Sequence, residues 1–438
     1  MSASANPPVV SPRHLDTPSR ETLLSRFAQT ESLSRTLLGV EAFIGIAALA
    51  WLLFEPVHLN TPIPWITAVI GGIGVFRHFL AHFFLNKKRL DQLRPDAQFG
   101  VHSRQSLIAT SQAVFQRLGL NPKAAPVFLI REKDVNAHAV RCELFPGLHM
   151  FNGVFLNRSI LHLLDDAELA SVIGHELGHV FPYAPLLSKT YAIHAAVAAL
   201  VCGALAASFA HVGAILLAPV LVLWILDLII AWPHARLSRS IEFLCDDYGV
   251  QASGILPALS AEMKIAVESE CRQSLLTKAL QCRGNRGETD LHSLVEAYDR
   301  AIPFGKADAA TFERELDQAL HHLRREGQST LGKGFLKYLG GQEDTQDNEA
   351  AQEWIQTQLA IQQALDALPL AVPDRKPFLS GSHSWTTATA TALITAIESN
   401  PRSVLVRLQQ EVEDRHSSHP SPSRRILFLW RHWHSSSA

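Results

Sequence analysis

Three long apolar segments constrain the fold of this chain more than any other feature. Residues 37–54 and 65–84 are almost wholly apolar, and residues 191–232 form a longer stretch that contains Asp227 but no Lys or Arg. A helix that crosses a bilayer needs about 20 apolar residues. The first two segments each fit one span, and the third fits two spans with a tight turn near residues 210–213. A buried hydrophobic hairpin in a soluble domain is the alternative for the third segment.

The composition agrees with a membrane protein. Charged residues make up 18% of the chain and the mean hydropathy is +0.09, whereas soluble domains contain about 25% charged residues. The formal net charge is -2, which argues against a nucleic-acid-binding protein, because such proteins have strongly basic surfaces. The five cysteines form no CxxC pair, so we expect no disulfide framework and a reducing compartment.

The distribution of basic residues predicts the orientation of the spans. Lys and Arg precede the first segment, follow the second and follow the third, whereas the short connections 55–64 and 210–213 contain neither. Positive residues remain on the cytoplasmic side of a membrane. Four spans would therefore leave both termini, residues 85–190 and residues 233–438 in the cytoplasm.

The region between the second and third apolar segments has mixed helix and strand patterns. Residues 105–118 have helical periodicity, and two strands are expected over residues 126–130 and around residues 149–155. A capping box over residues 165–168 predicts the start of a helix that runs to about residue 180. This pattern predicts an α+β domain with a small sheet.

That last predicted helix contains the sequence His-Glu-Leu-Gly-His over residues 175–179. Residues four positions apart lie on one face of a helix, so His175 and His179 can direct their imidazoles at one point. Glu176 would lie beside that point, which is the arrangement of a zinc-dependent peptidase with a glutamate as general base. Two solvent-facing histidines on a helix are the alternative.

A catalytic zinc ion usually has three protein ligands, and Glu242 is the candidate for the third. It lies in a polar patch that opens directly after the third apolar segment. Asp246 follows one turn later on the same helical face, where a carboxylate can orient a ligating histidine through its other nitrogen. A charged, solvated helix start at the membrane edge is the alternative, but the His175–His179 pair favours one zinc ion per chain.

These motifs together resemble a known family. Residues 126–250 are similar to the core of the HtpX-like membrane zinc endopeptidases, which are relatives of the CAAX prenyl protease. The matching features are Asn136-Ala137, Glu168-Leu169, the His-Glu-Leu-Gly-His motif, two apolar spans, Arg239, Glu242-x-x-x-Asp246, His419-Pro420 and Arg425-Ile426.

The resemblance implies a mainly α membrane protein with four transmembrane helices and a cytoplasmic α+β zincin-like catalytic domain that contains a small β-sheet. We expect a multi-pass protein of the bacterial inner membrane whose active site faces the cytoplasm. Its partners would be the lipid bilayer and protein or peptide substrates, misfolded or membrane-associated. The sequence does not indicate an oligomeric state.

The resemblance also assigns roles to individual residues. Glu176 would be the general base of metal-assisted amide hydrolysis, and Asp246 would orient a ligating histidine. The zinc ligands would be His175, His179 and Glu242. Three further residues are candidates for contacts with the substrate or the transition state: Asn136, His419 and Arg239. A structural role in closing the domain is the alternative for His419.

The domain organisation follows from these assignments, with the catalytic domain divided by the second membrane hairpin. Residues 283–410 read as a helical insertion without a recognisable motif. The predicted segments are a tail with a short helix (1–36), a transmembrane hairpin (37–85), the first catalytic part (86–190), a second hairpin (191–232), the second catalytic part (233–282), the insertion (283–410) and a closing C-terminal segment (411–438).

The sequence departs from the family pattern at two positions, and it leaves two alternative functions open. Cys245 stands where the family more often has Ala, and Asp247 where it more often has a basic residue. A membrane scaffold with a structural zinc site is one alternative function, although a structural site has no need of Glu176. The other alternative is a soluble peptidase with a large apolar core.

Overall fold

A computed structural model gives the architecture of the protein. It describes the following residues: 17–54, 62–83, 87–130, 136–141, 153–184, 186–208, 217–284, 378–399 and 419–435. Within them, the protein is mostly helical and has a small mixed sheet of four strands and a separate antiparallel pair of two short strands. The helices are α1 (Arg20–Phe54), α2 (Pro62–Phe83), α3 (Arg104–Arg117), α4 (Ile160–Leu163), α5 (Asp166–Val180), α6 (Leu186–Ser208), α7 (Leu217–Ser253), α8 (Ile255–Gly284), α9 (Thr387–Ser399) and α10 (Pro422–Ser435).

Short strands occupy the region between α2 and α5. They are β1 (Lys87–Arg89), β2 (Gln98–Phe99), β3 (His102–Ser103), β4 (Val127–Ile130), β5 (Ala137–Val140) and β6 (Gly153–Asn157). Four of them form a sheet in the order β1-β4-β6-β5, in which β4 and β6 are parallel and the two outer strands are antiparallel to their neighbours. Strands β4 and β6 are buried along their whole length, whereas β5 lies at an edge of the sheet.

The chain divides into two compact units. The first consists of residues 1–261, 417–420 and 424–438, and contains the sheet, α1 to α7 and most of α10. The second consists of residues 262–416 and 421–423, and its described part contains most of α8 and all of α9. On α9, Leu393 and Ile397 are fully buried, as the apolar face of an amphipathic helix requires.

Helices α1 and α6 pack side by side in parallel, because residue numbers increase together along their contacts. Those contacts join Glu31 to Leu186, Glu41 to His194 and Trp51 to Ser208. Helix α2 is antiparallel to α6. A Cβ atom on Gly203 would lie 3.5 Å from the carbonyl oxygen of Pro64, and one on Gly72 would lie 3.6 Å from that of Ala195. Such close approach at glycines is typical of helices packed within membranes.

Among the described residues, one helix is long and apolar enough to cross a membrane, and this helix is α1. Shorter apolar stretches cover Pro62–Ile73 and Ile193–Ser208. Large apolar side chains on α1 and α2 point outward: Phe43 is 72% exposed and Trp65 is 59% exposed. The described part of the chain therefore supports a membrane anchor, and the four-span arrangement remains a prediction.

Several predicted elements are confirmed, and some predicted boundaries fall inside helices. Helices α3 and α5 and strands β4 and β6 match the expected helices and strands. Helix α1 continues through the expected boundary at residue 36, and α7 continues through that at residue 232. An apolar segment and the polar segment next to it form one helix, because backbone hydrogen bonding can continue where the hydropathy pattern changes. The turn expected at residues 210–213 and most of the predicted insertion lie outside the described residues.

Candidate active site

The helix that carries the His-Glu-Leu-Gly-His motif is fixed at its N-terminal end by a capping box. The Asp165 side chain accepts hydrogen bonds from the amides of Ala167 and Glu168, and the Glu168 side chain accepts one from the Asp165 amide. The predicted capping box is thus confirmed. Buried His102 adds two contacts, with the Asp166 carboxylate at 2.7 Å and with the Leu164 carbonyl oxygen at 2.8 Å.

The C-terminal end of α5 is held by Arg141. Its guanidinium donates a hydrogen bond to the carbonyl oxygen of Val180, the last residue of the helix, and lies 5.2 Å from the ring centroid of Phe181. A cation at a helix C-terminus is favourable because the helix dipole is negative there. Pro182 then ends the helix, since it cannot continue the hydrogen-bond ladder.

Helices α5 and α7 are in close contact at glycines. A Cβ atom on Gly178 would lie 2.9 Å from the Cys245 sulfur, and one on Gly174 would lie 2.5 Å from the Ala252 Cβ atom. A side chain at either glycine would therefore push the helices apart. This close approach places Glu242, on α7, next to the motif on α5.

Three potential metal ligands converge between these helices. The Nε2 atom of His175 lies 3.2 Å from that of His179 and 3.6 Å from Glu242 Oε2, and His179 Nε2 lies 3.5 Å from Glu242 Oε1. Donor atoms bound tetrahedrally to zinc at about 2.0–2.2 Å lie about 3.3–3.6 Å from one another. Two imidazole nitrogens and one carboxylate, whose two oxygens each lie at such a separation from one of the nitrogens, suit a zinc ion with three protein ligands.

Asp246 orients the first of these ligands. Its Oδ1 atom accepts a hydrogen bond from His175 Nδ1 at 2.8 Å, so the Nε2 atom of that ring faces the other two ligands. The Arg425 guanidinium, from α10, donates to both oxygens of the same carboxylate, with 2.7 Å between Nε and Oδ2. The Asp246 side chain is almost fully buried, and these two partners satisfy its charge.

The two histidines have opposite pKa shifts. Burial lowers the pKa of His175, but the hydrogen bond to Asp246 and the charges of Asp246, Glu242 and Glu176 outweigh it and raise this pKa to about 9. Burial and the nearby charge of His175 lower the pKa of His179 to about 4. His179 is therefore a neutral ligand at neutral pH, whereas His175 must lose a proton before it can bind a metal.

The pKa values of Glu176 and Glu242 are also shifted in opposite directions. Burial raises the pKa of Glu176 to about 7, and the charge of His175 only partly opposes this effect. Burial also raises the pKa of Glu242, but the hydrogen bond from His419 and the charges of His175, His179 and Arg425 lower it well below its usual range. Glu242 is thus a permanent anion suited to a cation, while Glu176 can both accept and release a proton near neutral pH.

The remaining predicted site residues lie in three different places. His419 Nδ1 is 3.2 Å from Glu242 Oε2, so the structure brings this residue to the ligand group. Asn136 lies just before edge strand β5, where its Oδ1 atom accepts a hydrogen bond from the Ala137 amide at 2.9 Å. Arg239 is half-buried on α7, about one turn before Glu242.

Comparison with protein families decides the classification. The family model of peptidase family M48 matches residues 102–432, which is more than half of the chain and includes all these ligands. This chain belongs to peptidase family M48. It is therefore a metallopeptidase, a hydrolase of peptide bonds, and the expected relation to HtpX and the CAAX prenyl protease is confirmed. No curated protein and no solved structure matches the chain significantly.

Some contacts of this M48 peptidase have no signal in the sequence. Arg425 is recognisable there only as part of a terminal motif, and its contact with Asp246 was not predicted because the two residues are 179 positions apart. The contact of Arg141 with the end of α5 was not predicted either, since an arginine in a connecting segment indicates no partner. Asp247 stood out only as a departure from the family pattern.

Proposed function

We propose that this M48 peptidase is a membrane-embedded zinc endopeptidase that cleaves misfolded or membrane-associated proteins at the cytoplasmic face. The observation that carries the proposal is the convergence of His175, His179 and Glu242 within 4.8 Å of one another, with the Glu176 side chain adjacent in sequence and buried. M48 peptidases are zinc metallopeptidases, and the nitrogen and oxygen donors suit that metal.

The residues around the ligands would share the work of amide hydrolysis. When bound, zinc lowers the pKa of a water molecule and polarises the scissile carbonyl. Glu176, with its pKa raised to about 7, accepts the proton of the attacking water and passes it to the leaving amine. Asp246 keeps the proton of neutral His175 on Nδ1, so that Nε2 is available to the metal. Arg425 fixes the Asp246 carboxylate by two hydrogen bonds.

Three residues are proposed to contact the substrate or the transition state. The hydrogen bond to Glu242 raises the pKa of His419, and burial opposes this effect only in part. His419 is proposed to donate a hydrogen bond to the developing oxyanion. Asn136 precedes β5, the outermost strand of the sheet among the described residues, and we propose that an extended substrate pairs there by strand addition. Arg239 is proposed as a further contact from α7.

The helical packing supports the proposed topology. Four spans with both termini in the cytoplasm require the first and third spans to be parallel and the second to be antiparallel to both. Helices α1, α6 and α2 have these relative directions, and the exposed apolar side chains of α1 and α2 suit contact with lipid. A site next to the start of α6 would receive substrates at the membrane surface.

The test is hydrolysis by the full chain in lipid vesicles, with a labelled unfolded protein as substrate. The Glu176→Gln variant should lose activity by about 10²–10⁴-fold, because it lacks the base, and should still bind zinc. Glu21→Gln, at an exposed glutamate, is the matched control and should retain activity. If Glu176→Gln cleaves like the unaltered protein, the enzyme assignment of this site is wrong and a structural zinc site in a scaffold is favoured.

A further inference from the structure

Asp247 is a buried carboxylate that the proposed reaction does not use. It follows Asp246 on α7 and is 1% exposed. Successive residues on a helix point about 100° apart, so Asp247 faces away from the side on which Asp246 meets His175. A carboxylate in such a place is costly unless it is paired and hydrogen-bonded.

Three helices supply the donors for Asp247. Arg20 Nε and Gln251 Nε2 each lie 3.1 Å from its Oδ2 atom, and Trp433 Nε1 lies 2.9 Å from its Oδ1 atom. Gln251 is a local partner one turn along α7. Arg20 is the first residue of α1 and Trp433 is near the end of α10, so both ends of the described chain meet at this carboxylate.

Helix α10 is consequently held to α7 at two points. Arg425 binds Asp246 at one end of α10, and Trp433 binds Asp247 two turns further on. His419, three residues before α10, contacts Glu242. If α10 tilted about the contact of Trp433 with Asp247, Arg425 would move away from Asp246. Asp246 would then no longer be fixed in the position in which it binds His175.

The start of α1 is also fixed at this point. Phe27 packs edge-on against Tyr183, with 5.9 Å between the ring centroids, in the segment that links α5 to α6. Leu23 is buried, and Glu31 accepts a hydrogen bond from the Leu186 amide at 2.8 Å. The polar stem of the N-terminal helix is therefore packed into the catalytic unit, and its Arg20 completes the group around Asp247.

We propose that Asp247 is a positioning residue of this peptidase. It fixes α1 and α10 against the ligand helix, so that Arg425 and Asp246 hold His175 in its ligating orientation. Asp247 touches neither the metal ligands nor the substrate and acts through α10. The inference rests on the proposed zinc site, and its test has a readout that does not require hydrolysis.

The test compares Asp247→Asn and Trp433→Phe in the full-length protein. Trp433→Phe removes one N–H donor and leaves Arg20 and Gln251 on Asp247. The matched control is Trp51→Phe, which removes the same type of donor from Ser208 at the far end of α1. Zinc affinity is measured by competition with a chelator, and kcat and KM are measured on the zinc-loaded protein.

Asp247→Asn should weaken zinc binding and lower kcat, each by up to about tenfold, with little change in KM. Direct partners of metal ligands have effects of about 10–100-fold, and Asp247 acts one step behind such a partner. Trp433→Phe should produce smaller changes in the same direction, and Trp51→Phe none. In the double variant Trp433→Phe/Arg425→Lys, the loss of zinc affinity should be smaller than the product of the losses in the two single variants, since both changes act through α10.

A purely structural role gives a different result. In that case Asp247→Asn and Trp433→Phe would lower thermal stability, while zinc affinity and kcat per folded molecule would equal those of the Trp51→Phe control, and the proposal would be overturned. If Asp247→Asn does not fold, the comparison of Trp433→Phe with the Trp51→Phe control tests the proposal. If the unaltered protein binds zinc but shows no hydrolysis, the proposed function fails, while the zinc affinities still test Asp247.

Discussion

Asp246 has two partners at once, because its carboxylate accepts from His175 on one side and from Arg425 on the other. Its position one turn after Glu242 was enough to predict the contact with His175. The contact with Arg425 depends on a helix at the other end of the chain, and no local pattern encodes it. At the residue scale, therefore, spacing on one helix predicted that these side chains lie together, and the distant partner Arg425 became visible only in the structure.

Replacement of Asp246 by Asn should weaken zinc binding by about 10–100-fold, since the outer partner of a ligating histidine has effects of that size. The matched control is Asp91→Asn, at an exposed carboxylate whose side chain is 54% accessible. Both variants are titrated with zinc in competition with a chelator. Equal affinities for the two variants would show that Asp246 does not orient His175.

Close packing of α5 against α7 is the feature at the element scale that assembles the site. The sequence predicts each helix separately from periodicity, caps and apolar length. It does not predict which faces meet, because that depends on small residues such as Gly174 and Gly178 and the space available opposite them. The continuity of α1 was not predicted for a related reason, since the apolar pattern begins at residue 37 while the helix begins at Arg20.

Gly178→Ala should destabilise the protein by about 1–3 kcal/mol, because the added methyl group would lie 2.9 Å from the Cys245 sulfur and overpacking has costs of this order. Gly39→Ala is the control: Gly39 is also helical, and nothing lies within 4 Å of the position that its added methyl group would take. That control should be neutral or stabilising by up to about 1 kcal/mol. Thermal unfolding in detergent measures both, and equal melting temperatures would contradict the close packing.

A buried pair joins α1 to α6 within the apolar bundle. Glu41 and His194 are each 4% exposed and are hydrogen-bonded to each other, and His194 Nε2 lies 3.1 Å from Thr190 Oγ1. Glu41→Leu and His194→Leu should each destabilise by about 3–5 kcal/mol, since each leaves one polar partner buried.

The Glu41→Leu/His194→Leu double variant provides the control for this pair. It should recover much of the lost stability, because two apolar side chains replace two paired polar ones. A double-mutant cycle of unfolding in detergent measures the coupling. Additive losses would show that the two side chains do not form a pair.

At the scale of the whole molecule, the apolar segments and the basic flanks predict four spans and an orientation, and both stay predictions, because among the described residues one helix, α1, is long and apolar enough to cross a membrane. Expected strands and helices near the site agree with the structure because their patterns are local. The place of β5 in the described sheet, and the meeting of α1 and α10 at Asp247, depend on contacts between residues that are distant in the sequence. Sequence patterns from one chain do not specify such contacts.

The proposed topology predicts where reporters fused to the chain will be active. A fluorescent protein that folds only in the cytoplasm should be bright when fused after residue 438, and an externally active phosphatase should be active when inserted near residue 58. The same phosphatase after residue 95 should be inactive, since that region follows the basic end of the second span. The reverse pattern would contradict the proposed orientation.

The proposed chemistry depends most directly on one zinc ion held by His175, His179 and Glu242. Zinc affinity and zinc content per chain, measured in the purified full-length protein and in Glu242→Gln, test this claim. We predict one zinc ion per chain in the unaltered protein and an affinity more than about 100-fold weaker in Glu242→Gln, because loss of a ligand exceeds the loss of an outer partner. Equal zinc content and affinity in the two proteins would contradict the assignment of the site.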